Sequence, residues 1–451
     1  MIAHPSHAMD LKQGTEAEFS RLAARPQCLE DTGLSQAFVG DLVAKHLLDG
    51  GVQSLTQLVG RLALTGRILE SLLHFMRQEA KVEVLAADDS GAGLRYGLTD
   101  RGRTAALDAM FRSGYVCPTP IRLVDYARVV RAQTVHERSI TKDAMRSAFE
   151  GVVLEESLID QLGPSLNSGR AIFVYGPAGT GKTYVAQKLR RLFCDRTLIP
   201  YAIVINDSVV EVFDPIMHKA IAGEDDGPDL MLERGYDPRY VCCERPVVIS
   251  GGELTADMLE VQYDAASRQY RAPLQLKANN GMFMIDDMGR QRVAPEVVFN
   301  RWIVPMEEKK DYLHLGSGRH FSVPFDTVLI FSTNMHPLDL ADEAFLRRIG
   351  YKIKFEHLAP EAYRRIWKAE CDRLGILFDR EILEFVLQEL HEKKRVALLP
   401  CHPRDLLGIA VDLTTYVDQP RALTKQQMRW AWNNYFVEMD DRNSNRAGST
   451  T

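Results

Sequence analysis

An octapeptide at residues 176–183, Gly-Pro-Ala-Gly-Thr-Gly-Lys-Thr, restricts this chain to few folds. An apolar strand is predicted directly before it, at residues 171–175, and a helix directly after it, at residues 184–193. Closely spaced glycines let backbone N–H groups converge on phosphate oxygens, and the helix that follows adds the positive end of its dipole. The agreement of strand, loop, Lys-Thr ending and helix favours a phosphate-binding loop, or P-loop, over a glycine-rich turn without a ligand.

Two side chains at the end of this loop and two acidic residues farther along predict the chemistry. Lys182 would neutralise the β- and γ-phosphates of a nucleotide, and the Thr183 hydroxyl would coordinate Mg²⁺. Asp286 and Asp287 follow an apolar run at residues 282–285. Asp286 would hold Mg²⁺ through water and Asp287 would polarise the attacking water, although a plain turn after a buried strand has the same pattern. We therefore predict that the chain binds ATP and Mg²⁺ and acts as an ATPase.

The spacing of apolar runs predicts the fold class, which is α/β. Strands and helices alternate over residues 149–356, as in a parallel sheet with helices on both faces. Residues 357–439 carry four helical apolar stripes and would form a helical lid, and the polar tail at 440–451 is predicted to be disordered. The strands of the P-loop sheet are predicted at residues 171–175, 202–205, 282–285, 327–331 and 351–355.

The N-terminal part, residues 33–115, has the order helix, helix, helix, strand, strand, helix, with Thr99 as the N-cap of the last helix. That order predicts a small winged helix-turn-helix domain, and residues 95–103 resemble the wing exit of bacterial winged-helix proteins. Residues 116–148 are predicted to be a linker. Such domains bind DNA or proteins. Acidic residues outnumber basic ones in residues 1–115, so protein docking is favoured over DNA, and both remain open.

The order of these motifs resembles that of the AAA+ ATPases, with Walker A at residues 176–183 and Walker B ending in Asp286 and Asp287. In that superfamily the second acidic residue is usually Glu. The side chain of Asp287 is one methylene shorter, which implies slow hydrolysis or hydrolysis that depends on assembly. Asn334, after the strand at residues 327–331, resembles the sensor 1 residue that orients the attacking water. A turn residue at a strand end is the alternative for Asn334.

Three arginines are assigned by the same resemblance. Arg348, and as second choice Arg347, resemble the arginine finger that reaches the γ-phosphate of a neighbouring subunit, although the pair also suits the negative end of a helix dipole. Arg404 resembles the sensor 2 arginine of the lid, with a surface arginine as the alternative. Asn206, after the predicted strand Ala202–Ile205, is a candidate for holding the Walker B acid in an inactive rotamer. The predicted nucleotide contacts are Gly176, Pro177, Ala178, Gly179, Thr180, Gly181, Lys182, Thr183, Tyr184 and Arg404, the metal ligands are Thr183 and Asp286, and the catalytic residues are Asp287, Asn334, Arg348 and Arg347.

Two predicted β-hairpins extend this core. The hairpin at residues 259–276 precedes Walker B and resembles the helix-2 insert of MoxR-type ATPases and sigma-54 activators. The hairpin at residues 312–325 resembles their pre-sensor-1 hairpin. In those relatives such hairpins line the pore of a ring or face the substrate, so the resemblance implies an ATPase that remodels or assembles an unknown protein client. The pair Arg347 and Arg348 predicts that the chain works as a homo-oligomeric ring, with a hexamer as the expected size. Surface decoration is the alternative for the hairpins, and a DNA-binding regulator or a slow nucleotide switch is the alternative for the whole protein.

Composition limits the class of protein. The 451 residues are 45% hydrophobic and 26% charged with a net charge of −6, which indicates a globular chain of several domains without a basic field over its whole surface. No run approaches the roughly 18 apolar residues that a membrane span needs, and residues 1–14 do not resemble a secretory signal. The seven cysteines form no C-x-x-C pair. We expect a protein of the reducing cytoplasm with no membrane span.

Overall fold

The structure is a computed structural model that describes residues 16–85, 94–137, 139–221, 235–316, 318–418 and 423–436. The predicted tail at 440–451 and the turn predicted at residues 88–93, between the two N-terminal strands, lie outside the described residues. Within those ranges, no helix combines the length and the apolar character that crossing a membrane requires.

After two short helices, the N-terminal part folds into a unit of helices on a small sheet. The predicted helices and strands at residues 37–109 are all present, and Thr99 caps the last helix by accepting a hydrogen bond from the Gly102 backbone N–H. A short first strand, which was not predicted, completes an antiparallel sheet of order β1-β3-β2. The elements are α1 Glu16–Leu22, α2 Leu29–Thr32, α3 Gln36–Gly50, β1 Gln53–Ser54, α4 Leu55–Leu62, α5 Gly66–Gln78, β2 Val82–Leu85, β3 Arg95–Leu98 and α6 Asp100–Arg112. The winged-helix assignment stays a prediction.

The segment predicted to be a linker contains regular, packed structure. It forms β4 Ile121–Arg122, α7 Leu123–Ala132 and α8 Lys142–Ala148. Tyr126 and Val129 of α7 are buried in the core of a second, mixed sheet, where they pack with Ile203 and Val210. Part of the segment predicted to be a linker therefore belongs to the hydrophobic core of the mixed sheet.

The mixed sheet has the order β11-β12-β8-β7-β4 and includes the first predicted hairpin. Its remaining strands are β7 Ala202–Ile205, β8 Ser208–Glu211, β11 Gln262–Asp264 and β12 Gln269–Arg271, and beside it β6 Arg196–Pro200 pairs with β9 Tyr240–Glu244. The placement of Ala202–Ile205 in the parallel sheet was wrong. Asn206 and Asp207 have φ values of 46° and 66°, and two positive φ angles make a tight hairpin turn. The chain therefore returns at once, antiparallel, instead of entering a crossover.

The parallel sheet has five strands in the order β10-β13-β16-β5-β17. They are β5 Ile172–Tyr175, β10 Val247–Ser250, β13 Gly281–Ile285, β16 Thr327–Thr333 and β17 Tyr351–Lys354. Four of the five strands predicted for this sheet belong to it, and the fifth member is β10, because Ala202–Ile205 forms a strand of the mixed sheet. Alternate residues face opposite sides, so Val174 packs in one core and Phe173 in the other. The predicted α/β class is confirmed.

Helices and a second hairpin complete this layer, and a helical lid follows it. The helices of the layer are α9 Glu156–Asn167, α10 Lys182–Leu189, α11 Leu274–Lys277, α12 Pro295–Glu308 and α13 Glu343–Arg348, and the hairpin is β14 Lys310–His314 with β15 His320–Pro324. The lid contains α14 Pro360–Leu374, α15 Arg380–Phe385, which continues as a π-helix over Val386–Glu392, α16 Cys401–Tyr416 and α17 Lys425–Tyr435. All four predicted lid helices are present. Trp367 and Trp432 are buried in the lid core.

Candidate functional site

The predicted P-loop joins β5 to α10, and its backbone requires glycine at defined positions. Gly176 has φ of 140°, and a Cβ there would lie 2.1 Å from the carbonyl oxygen of Phe355. Gly179 has φ of 82°, and a Cβ there would lie 2.7 Å from Cys401 Sγ at the start of α16. Side chains are excluded at both positions by backbone conformation and by contact. The loop therefore touches both the sheet and the lid.

The Lys182 side chain is 7% exposed and is held by three acceptors. Its Nζ donates hydrogen bonds to the carbonyl oxygens of Gly176 at 2.8 Å and Pro177 at 2.9 Å, and to Asn334 Oδ1 at 2.7 Å. Burial lowers the pKa of Lys182, and the charges of Asp286 and Asp287 act in the opposite direction. A buried ammonium group is thus positioned among oxygen atoms beside two carboxylates.

Thr183 and Asp286 meet although 103 positions separate them in the chain. The Thr183 hydroxyl donates a hydrogen bond to Asp286 Oδ2 at 2.5 Å, and Asp286 Oδ1 accepts from the Asp287 backbone N–H at 2.9 Å. Hydroxyl and carboxylate oxygens are ligands that Mg²⁺ prefers. No cluster of three or more His, Cys, Asp or Glu side chains suited to a metal occurs in the described ranges. A magnesium ion here would therefore need further oxygen ligands, such as phosphate and water.

Asn334 follows β16 and connects the lysine to the second acidic residue. Its Nδ2 donates to Asp287 Oδ1 at 2.7 Å, while its Oδ1 accepts from Lys182. Asp287 has φ of 52°, a left-handed conformation that Asp tolerates better than most residues. Because β13 and β16 are parallel neighbours, their carboxyl ends deliver Asp287 and Asn334 to the same edge of the sheet.

These side chains line a cavity of about 960 Å³ between the sheet edge and the lid. Residues 151–155 and 354–358 form other parts of its wall, and Ile366, Cys401 and Arg404 contribute from the lid. The size lies within the range of small-molecule and cofactor sites. In open α/β sheets, ligands bind outside the carboxyl ends of the strands, where this cavity lies.

The structure brings most of the predicted site residues together. Those that line the cavity are Ala178, Gly179, Thr180, Gly181, Lys182, Thr183, Tyr184, Asp286, Asp287, Asn334 and Arg404. Gly176 and Pro177 contribute through the carbonyl groups that hold Lys182. Arg404 Nε donates to Asp405 at 2.8 Å at the start of α16. The functional roles of all these residues stay predictions.

Two predicted arginines and one asparagine lie outside the cavity wall. Arg348 Nε donates to Glu307 Oε1 at 2.5 Å, and Arg347 pairs with Glu343 at 3.3 Å, both at the exposed end of α13. Asn206 lies in the turn of the mixed sheet. The parallel strand beside Asp286 is β10, and its Ser250 carbonyl accepts from the Asp286 backbone N–H at 2.7 Å.

Sequence reasoning missed several residues that line the cavity. Arg290 follows Asp286 by four positions, and a search for cations near the acidic pair would have found it. Lys352 and Lys354 line the cavity from the strand that was predicted at residues 351–355 by its apolar residues. Residues 151–155 carry no motif, and Val152 and Leu154 are placed by packing against the core that α8, α9 and the parallel sheet share.

Comparisons with known proteins give little beyond the fold. Residues 359–434, which span the lid helices, match a family described as a domain of unknown function, DUF8689. A search of curated proteins found none that matches this chain. Among solved structures, the chain is similar to the RuvB Holliday junction branch migration motor of Thermotoga maritima, at 12% identity and a TM-score of 0.36, over 64% of this chain and 74% of that one. It is also similar to NtrX from Brucella abortus, at 14% identity and a TM-score of 0.40, over 75% and 69%. Likeness this distant assigns no activity, so the fold class rests on the sheet described above.

Proposed function

We propose that this chain is an AAA+ protein that binds ATP with Mg²⁺ and hydrolyses ATP to ADP and phosphate. One observation carries the proposal: Lys182, Thr183, Asp286, Asp287 and Asn334 converge at the carboxyl edge of one parallel sheet, in one cavity. A P-loop, an acidic pair and a strand-end amide in this arrangement fit phosphoryl transfer to water.

The donor set fits the nucleotide and its metal. The Lys182 ammonium would exchange some of its present hydrogen bonds for the β- and γ-phosphate oxygens. The hydroxyl of Thr183 and the carboxylate of Asp286 would hold Mg²⁺, which neutralises charge on the phosphates when bound. Asp287 would accept a proton from the attacking water. The oxygen of that water would bond to the γ-phosphorus while the bond between the γ-phosphorus and ADP breaks. Asn334 would orient that water.

The test is steady-state phosphate release by the full chain, together with equilibrium binding of a fluorescent ATP analogue. We expect release well above that of Lys182→Ala, and we expect Asp287→Asn to bind the analogue without release. Binding without release in the wild type would favour a nucleotide switch, the slow-turnover alternative suggested by Asp287. The absence of binding in the wild type would exclude both.

The proposed assembly is a homo-oligomeric ring, with six subunits as the expected number. Arg347 and Arg348 end α13 at the surface, which supports a role in which an arginine of one subunit would reach the γ-phosphate of the next. Arg348 would leave Glu307 to do so. Light scattering with a non-hydrolysable ATP analogue tests this assembly, and a strict monomer at micromolar protein would contradict the trans-acting arginine.

The proposed client is a protein that the ring remodels or assembles in the cytoplasm. The two hairpins support this, but they are not free loops: β12 pairs with β8, and Leu313 and Phe321 of the second hairpin are buried in the mixed-sheet core. A substrate would therefore contact their tips and the edge strand β11. Trapping of a client by Asp287→Asn in the ATP state, with no trapping by Lys182→Ala, would test this role.

DNA binding through a winged helix is the second candidate function. This candidate is supported by the order of helices and strands in residues 33–115 and by Arg67, His74 and Arg77, which are exposed on α5. Glu70 is exposed on the same helix, which weakens attraction to phosphates. Measuring the affinity for duplex DNA at low salt decides between the candidates, because a DNA-binding regulator must bind DNA most tightly at low salt.

A further inference from the structure

The loop that follows Asp286 is fixed in place by its own hydrogen bonds. The Arg290 backbone N–H donates to the Asp287 carbonyl oxygen at 3.0 Å. Gln291 Nε2 donates to the Asp286 carbonyl oxygen at 2.7 Å, and Gln291 Oε1 accepts from the Gly289 backbone N–H at 2.9 Å. The loop therefore holds Arg290 at the cavity wall without help from the Arg290 side chain.

Arg290 differs from the other cations of the cavity in its partners. Five Lys and Arg side chains line the wall, and four of them have a hydrogen-bond or ion-pair partner. Lys182 is held by Gly176, Pro177 and Asn334, and Lys352 donates to the Ile349 carbonyl at 2.9 Å. Lys354 pairs with Glu356 at 2.7 Å, and Arg404 pairs with Asp405 at 2.8 Å. Within the described part of the chain, the Arg290 guanidinium makes no hydrogen bond or ion pair. It stays unpaired although Asp286 and Asp287 line the same cavity.

Arg290 is exposed, so water hydrates its guanidinium, and with no protein partner among the described residues this cation is open to an anion that enters the P-loop cavity. Guanidinium is charged at every relevant pH, is weakly hydrated, and presents paired N–H groups that match phosphate oxygens. In the proposed site Lys182 reaches the β- and γ-phosphates, and a guanidinium would add paired hydrogen bonds to the terminal one. The loop of Arg290 begins at the acidic pair, on the side of the cavity where water would be activated.

We infer that Arg290 contacts the terminal phosphate of the nucleotide bound to its own subunit, and that it makes this site distinguish nucleoside triphosphate from diphosphate. This inference rests on the proposed ATP site. It differs from the trans-acting role of Arg348, because Arg290 acts within one chain and needs no ring. ADP lacks the group that Arg290 contacts, so only ATP gains the interaction.

The experiment measures equilibrium binding of a non-hydrolysable ATP analogue and of ADP, each with Mg²⁺, to the full chain. We expect Arg290→Ala to weaken the binding of the triphosphate analogue by about 10- to 100-fold, the range for a hydrogen bond to a charged group. The affinity for ADP should not change. Arg290→Lys keeps the charge and loses the paired N–H groups, so its affinity for the triphosphate analogue should lie between those of the wild type and Arg290→Ala. Arg292→Ala is the matched control, because Arg292 is exposed in the same loop and does not line the cavity.

The outcomes separate this inference from the proposal beneath it. Equal weakening of both nucleotides by Arg290→Ala would mean a distorted loop and would overturn the inference, as would unchanged binding of both. A wild-type chain that binds neither nucleotide would overturn the proposed function itself. Thermal unfolding of each variant, compared with the wild type, identifies any variant that has lost its fold, and Arg290→Lys then supplies the measurement.

Discussion

The Asn334 side-chain amide donates a hydrogen bond to the Asp287 carboxylate at 2.7 Å. The side-chain oxygen of Asn334 also accepts a hydrogen bond from Lys182, so one amide connects the P-loop lysine to the proposed water-activating acid. The three residues come from three segments of the chain. Their meeting follows from the parallel pairing of β13 with β16 and of β16 with β5, which aligns the ends of the strands.

Replacing Asp287 should stop turnover and keep nucleotide binding. Asp287→Asn retains the shape and accepts the left-handed φ of 52°, but it removes the base, so phosphate release should fall on the order of 100-fold or more. Phosphate release and analogue binding, measured on the same preparations, check this. Equal turnover in variant and wild type would remove Asp287 from the reaction.

Removing the Asn334 amide should slow turnover through positioning. In Asn334→Ala the contacts to Asp287 and Lys182 are both lost, and we expect phosphate release to fall on the order of 100-fold, with analogue binding changed far less. Ser332→Ala is the control, because Ser332 lies on the same strand and its buried Oγ has no hydrogen-bond partner among the described residues. A similar loss in both variants would indicate a general disturbance of β16.

The N-terminal unit and the β11–β12 hairpin should depend on each other for stability. The Gly114 N–H donates to the Arg268 carbonyl at 3.1 Å, and the Arg268 guanidinium lies 4.3 Å from the Phe111 ring centre. A Cβ at position 114 would lie 1.9 Å from the Ser267 carbonyl oxygen, so Gly114→Ala should lower the free energy of unfolding by about 1–3 kcal/mol.

Denaturant unfolding measures this change. Gly60→Ala is the matched control, because a Cβ at Gly60 of α4 meets nothing within 4 Å, and a helical Gly-to-Ala change should be neutral or stabilising by up to about 1 kcal/mol. Arg268→Ala should cost about 0.5–1 kcal/mol through loss of the contact with Phe111. A Gly114→Ala protein as stable as the wild type would contradict the close contact.

Stability should fall in mild acid because of His218. This side chain is 1% exposed, its Nδ1 accepts from the Asp214 N–H at 2.9 Å, and its Nε2 donates to the Lys277 carbonyl at 2.8 Å. Burial lowers the pKa of His218 from 6.5 to about 4. The unfolded chain therefore binds the proton first, and the stability from neutral His218 is present above pH 6.5 and lost as the pH falls towards about 4.

Unfolding free energies measured between pH 7 and pH 4 test this dependence. One such group contributes a slope of up to about 1.4 kcal/mol per pH unit. His218→Gln is less stable at pH 7 because two hydrogen bonds change, but its slope should be shallower. Parallel slopes for wild type and His218→Gln would refute the assignment.

The local elements followed from the sequence because their signals are contiguous. The P-loop between β5 and α10, the N-cap Thr99 and the four lid helices depend on residues that are neighbours in the chain. The apolar run at residues 282–285 indicated the acidic pair that follows it, and the resemblance to the AAA+ ATPases indicated Asn334. In each case a short pattern carries the information, so no knowledge of distant contacts is needed.

The tertiary structure decided which strands pair and which charges meet. Ala202–Ile205 and Val247–Ser250 are both short apolar runs, and only the turn after Ile205 and the sheet neighbours separate an antiparallel hairpin strand from a parallel core strand. The approach of Cys401 to Gly179, the bridge through Asn334 and the position of Arg290 at the cavity wall likewise depend on residues far apart in the chain. The sequence alone thus determined that a glycine-rich loop joins a strand to a helix here. Packing determined what surrounds that loop, because contacts between distant residues form only when the sheet and the lid close on one another.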